Sequence, residues 1–195
     1  MRISKQLNLV VPLNRGDEPK VYVHATPISV ETFETFYSVI AKTFTQIYSG
    51  GYGTIGGPRV ADKVMRDVAI RDGVWETKDA IPGVKDGLIG EIRRRANVLA
   101  MTPKGEWEQV PYDSARSNGL LDQDEVLFLE GTLCFFTVLW WMHTPDQRLL
   151  MLQSATSLLD ARIESSTCTD YRNYLSTSTT VGNSGAKVAA SSVPS

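Results

Sequence analysis

Between residues 30 and 47, Val30, Phe33, Tyr37, Ile40, Phe44 and Ile47 recur at alternating spacings of three and four. Such spacing keeps one apolar stripe on one side of an α-helix. Ser29 suits the N-cap, and Ser49-Gly50-Gly51 predicts an end near Tyr48. Upstream the period changes to two. Leu7 and Leu9 share one face of KQLNLVV, and in KVYVH, Val21 and Val23 oppose Tyr22 and His24. With Asn14, Gly16, Asp17 and Pro19 between them, these runs predict an N-terminal β-hairpin. A hairpin alone is marginal in water, so it must pack on the helices or extend a neighbouring sheet.

Four more helices are expected downstream. One starts at Pro58, carries Val60, Val64 and Val68, and stops at Gly73. Another, about 84–99, places Val84, Leu88, Ile92, Ala96 and Leu99 on one side. Residues 100–121 read as irregular, with Trp107 folded over the core edge and a short helical turn after Pro111. Asp122 then caps the most apolar helix, with Glu125 completing a capping box. On this helix Gln123, Glu130, Cys134, Thr137 and Trp141 fall on one narrow stripe, and nearly everything else is large and apolar. A last helix, about 145–160, begins behind Thr144-Pro145 and carries Leu149, Leu152 and Leu159. The expected fold is α+β and mostly α: an N-terminal β-hairpin packed on a bundle of about five helices. Residues 1–175 form a single domain in this reading. Residues 176–195, with Lys187 as their only charge and no aromatic side chain, read as a disordered tail.

Composition narrows the function classes. Twenty basic against twenty-two acidic residues leave a net charge of −2, which argues against nucleic-acid binding. The one dense basic run, Arg93-Arg94-Arg95, reads as a solvated helix surface. Residues 126–142 are greasy enough to suggest a membrane span. The run is at the lower length limit and contains Glu130, so a buried or partner-facing helix is the better reading and no membrane is expected. The opening MRISKQLNLVV is too poor in apolar residues for a signal peptide. Cys134 and Cys168 show no paired spacing, so neither a zinc site nor a disulfide framework is expected, and a reducing cytoplasm fits best.

Candidate chemistry is sparse. GYGTIG matches G-x-G-x-x-G, but it follows a helix instead of a strand, and reads as a flexible glycine loop. His24 and His143 lack a nucleophile signature nearby, and Cys134 in an apolar helix should have a raised pKa. Asp122, Asp124 and Glu125 serve the helix N-terminus. No catalytic, cofactor-binding or metal site is therefore expected. Aromatic bulk remains: Phe135, Phe136, Trp140 and Trp141 lie within seven residues. Phe136, Trp140 and Trp141 are the candidate partner-binding residues, with Trp141 expected to be partly exposed.

Several segments in order resemble the tail assembly chaperones of long-tailed phages (siphophages). These are KQLNLVVPL with VYVHATPIS, AKTFTQIYSGG, GPRVADKVMRDVA, GVKDGLIGEIRRRANVL, GEWEQVPYDSA, the CFFTV core, and TSLLDARIESSTCTDYRNYLSTST. The similarity spans about residues 5–180. It implies a non-virion protein of the host cytoplasm that coats the helical tape measure protein, keeps it soluble and promotes tail-tube assembly around it. It also implies contact with the tail tube protein through a longer, frameshifted product, and it leaves self-association open. The resemblance carries over no catalytic or binding residues. The alternative is a structural virion protein, such as a head–tail connector or tail-terminator component.

Overall fold

A computed structural model describes residues 7–15 and 21–184 of the chain. The expected hairpin strands form as β1 (Asn8–Leu13) and β2 (Val21–Ala25), paired antiparallel with Val11 opposite Val23. The residues proposed as its turn, 16–20, lie outside the described part. The strands do not stand alone. β3 (Ala96–Met101), β4 (Trp107–Pro111) and the short β5 (Arg162–Glu164) complete an antiparallel sheet of order β4-β3-β2-β1-β5. The whole is an α+β fold, mostly helical.

Two of these strands correct the sequence reading. The helix expected over 84–99 is a π-helical stretch, Lys85–Ile89, followed by the short α3 (Gly90–Arg94), and the chain then turns extended. Val98 faces the helices while Leu99 faces the opposite side of the sheet. A central strand is apolar on both faces, and periodicity alone cannot separate such a run from helix. The region taken as irregular holds β4. Its link to β3 is a tight turn in which Gly105 (φ +81°) donates to the Thr102 carbonyl at 2.9 Å and Thr102 donates to that of Glu106 at 2.8 Å. The short helix expected after Pro111 is α4 (Tyr112–Ser117).

Helices α1 (Val30–Ser49), α2 (Gly53–Arg71) and α5 (Gln123–Met142) cover one face of the sheet. The Ser29 hydroxyl caps α1, and Asp122 with Glu125 forms the capping box of α5. Helix α2 starts five residues before the expected Pro58, so most of GYGTIG is helical. What the glycines do there is of two kinds. Gly51 (φ +76°) and Gly53 (φ +50°) make the reversal from α1, which side chains other than glycine rarely permit. Gly57 lets helices touch: a Cβ on it would lie 2.4 Å from the Phe135 ring, and one on Gly131 would lie 2.2 Å from the Pro58 carbonyl oxygen. Helices α2 and α5 thus meet backbone to backbone.

Close contact on all sides explains the composition of α5. Residues 129–139 are buried apart from Glu130, including Cys134 and Thr137, which were expected on a polar stripe. The Thr137 hydroxyl satisfies itself by donating to the Leu133 carbonyl at 3.0 Å. Leu129, Leu133, Val138 and Leu139 each contribute roughly 1.5–3 kcal/mol by leaving water. The helix is long and apolar enough to cross a membrane, but its middle is enclosed by this fold. Glu130 is accommodated by two guanidinium groups, Arg93 at 2.6 Å and Arg116 at 3.3 Å. Arg93, read as a solvated surface residue, therefore serves that carboxylate in a half-buried setting.

The other face of the sheet is covered more thinly. Helix α6 (Pro145–Thr156) and a 3₁₀ turn, Ser157–Leu159, lead to β5 and then to α7 (Cys168–Ser184). Tyr171 and Leu175 of α7 pack on Val10, Leu99 and Trp107, with Tyr22, Met101 and Cys168 alongside. Trp107 does close a core edge, though from within a strand. Helix α7 runs to Ser184, so residues 176–184 are helical where a disordered tail was expected from 176 onward. Residues 185–195 of that tail lie outside the described part.

Candidate partner-binding surface

The stripe that predicts α1 divides in two when the helix meets the core. Ile40 and Ile47 are buried, together with Phe36, Val39 and Thr43, whereas Val30 (53% exposed) and Tyr37 (55%) face water. The helix also carries a local break at Phe36 (φ −110°, ψ 16°). Its ring is seated against Gly87 of the π-helical stretch, where a Cβ would lie 2.5 Å away. Phe33, Phe44 and Tyr48 are half-buried on the same flank as Tyr37.

Helix α5 delivers its last turn to this flank. The Trp141 indole stacks on the Phe33 ring, with centroids 4.3 Å apart and planes 8° from parallel. Phe33 in turn meets Tyr37 edge to face at 5.7 Å. Farther along, Phe44 touches Tyr48 at 4.6 Å and His143 at 5.6 Å. Arg148, from α6, lies over Trp140 at 4.8 Å and Trp141 at 5.6 Å. Its Nε donates to the Trp140 carbonyl at 2.7 Å and to that of His143 at 3.1 Å. These bonds satisfy carbonyls that the end of α5 leaves free, and cation–π attraction holds the indoles flat. The result is an aromatic ledge with one side on the core and the other in water. The Trp141 indole N–H is buried there without a hydrogen-bond partner among the described residues.

The three proposed contact residues therefore have different fates. Trp141 is half-exposed, as its stripe suggested, and Trp140 is half-exposed beside it. Phe136 is only 4% exposed and belongs to the core, so it does not form part of the surface. The α1 contribution of Val30, Phe33 and Tyr37 escaped the sequence reading because the stripe was read only as the apolar side of a helix. Its breadth held a clue. Val30, Phe33, Phe36, Tyr37, Val39 and Ile40 occupy more of the circumference than one buried face requires.

The groups with chemical potential lie elsewhere and apart. His24 is fully buried on the thinly covered sheet face, its Nε2 3.0 Å from the Ser166 carbonyl oxygen, to which Asn8 also donates at 2.8 Å. Burial pushes the His24 pKa below its ordinary value. Cys134 is enclosed in α5, and burial pushes its thiol up, away from a reactive thiolate. His143 closes α5, its Nδ1 2.9 Å from the Leu139 carbonyl oxygen. A cleft of about 380 Å³ lies beside α7 between Tyr22, Tyr171, Asn14, Asp160 and Arg162. Neither histidine and neither cysteine lines it. Among the described residues no group of three or more His, Cys, Asp or Glu is placed to hold a metal.

Comparison of the chain with protein-family models, with curated proteins and with solved structures finds no match in any of the three.

Proposed function

We propose that this protein is a phage tail assembly chaperone that binds the tape measure protein, keeps it soluble and promotes tail-tube assembly around it. In this role it acts through surface contact and without catalysis, in the cytoplasm of the infected host. The observation that carries the proposal is the ledge of Phe33, Tyr37, Trp140 and Trp141 with Val30 at its edge, large apolar side chains that the fold leaves partly in water. Rigid aromatic side chains bury much area at little entropic cost, which makes such a ledge an anchor for an apolar helix. The ordered resemblance described above supplies the identity of that helix. The mechanism differs in one respect from the simplest expectation: the greasy middle of α5 is used internally, and covering a partner falls to α1 and the last turn of α5.

The test is co-expression with the tape measure protein of the same genome. Most of the tape measure protein is expected in the soluble fraction when the chain is present. It should be insoluble when the chain is absent or carries Val30→Ser with Tyr37→Ala. Equal solubility in all three cases contradicts the reading. Mass spectrometry of purified particles adds a second arm, because a chaperone is absent from them. Fixed copy number there would instead favour a connector or tail-terminator component.

A further inference from the structure

We infer that the helix docking on the aromatic ledge is basic: an amphipathic helix whose apolar seam is flanked by lysine or arginine. This rests on the ledge being a docking surface, as proposed above, and adds the charge of its occupant. Along α1, Glu31 and Glu34 follow Val30 and Phe33 directly, and both are exposed. At about 100° per residue they fall on the solvent side of the Val30–Phe33–Tyr37 stripe, away from the core. Neither enters an ion pair among the described residues. Asp146, in the first turn of α6, is likewise exposed and outside any ion pair among the described residues.

The neighbouring cations are already committed. Arg148 is laid over both indoles and donates to the two carbonyls at the end of α5. Lys42 is bonded to Asp72 at 2.7 Å, and Arg95 is paired with Glu91. The rim open to a partner therefore offers carboxylates outside any ion pair among the described residues, while Lys42 and Arg95 are held to carboxylates of their own. A helix lying on the rings with basic residues along its flank meets Glu31 and Glu34, while an acidic flank is repelled. Charge of this kind selects partners and speeds encounter more than it adds affinity.

Two synthetic helical peptides test this, sharing one i, i+3, i+4, i+7 leucine seam and flanked either by lysines or by glutamates. Binding to the full chain is read by anisotropy of a dye on the peptide. The lysine peptide is expected to bind about tenfold more tightly at low salt, with most of the difference gone at high salt. The double variant Glu31→Lys/Glu34→Lys should invert the preference, and Tyr37→Ala should weaken both peptides. Equal binding of the two peptides, unmoved by the charge reversal yet weakened by Tyr37→Ala, overturns the charge inference and leaves the docking surface standing. Failure of both peptides to bind, or binding indifferent to Tyr37→Ala, overturns the surface as well.

Discussion

The middle and the end of α5 carry the same kind of side chain and are put to opposite uses. Over residues 129–139 the helix is closed in by α1, α2 and the sheet, and two glycines let α2 approach to backbone contact. Just beyond, at Trp140 and Trp141, no second layer of described residues covers the helix, and the rings are held instead by Phe33 and Arg148. Hydrophobicity along a chain thus shows that apolar surface exists, while only the neighbours decide whether it stabilises the fold or remains for a partner.

Breaking the buried half should have the largest effect. Gly131→Val drives a branched side chain into the Pro58 carbonyl, and Leu133→Ala empties part of the same layer. Each is expected to cost about 2–5 kcal/mol by urea denaturation, enough to leave a marginal domain partly unfolded. A milder break is Glu130→Ala, which leaves Arg93 without its partner in a half-buried site. Because the pair keeps some contact with water, the loss should be about 1–2 kcal/mol.

How much of this was legible follows from the same contrast. Helix α1 and the caps at Ser29 and Asp122 were readable because their signals are local. The strands β3 and β4 were not, although Pro103 and Gly105 between two apolar runs carry a hairpin signal. A helix period continuing from Leu88 through Leu99 outweighed it. Trp141 was legible as a half-exposed residue from its place on the helical wheel. Phe136 was not, because nothing in α5 alone says which neighbours will cover which side. The split of the α1 stripe likewise depends on neighbours distant in sequence, as the Phe36 ring shows by its seat against Gly87, fifty-one residues later.

The thin face of the sheet gives a smaller effect, visible against pH. Burial holds the folded-state pKa of His24 below that of the unfolded chain, which lies near 6.5. Below that value the unfolded state takes up a proton that the folded state refuses. Stability should therefore be level above about pH 6.5 and fall as pH drops through the window beneath it, by up to about 1.4 kcal/mol per unit. Thermal melts of the protein and of His24→Gln between pH 7.5 and 5.5 check this, the variant being the flatter of the two. The smallest effect on folding belongs to the ledge. Tyr37→Ala should change stability by no more than about 0.5 kcal/mol, since its ring is mostly in water. Trp141→Ala should cost about 1 kcal/mol through the lost stack on Phe33.

Hydrogen exchange followed by mass spectrometry, on the chain alone and with the tape measure protein, tests the division of α5 most directly. New protection is expected over residues 30–48 and 140–148, with residues 129–139 slow to exchange in both samples. Fast exchange at 129–139 in the free chain, with protection appearing there on binding, would contradict the account. So would a footprint that leaves Val30, Tyr37 and Trp141 untouched.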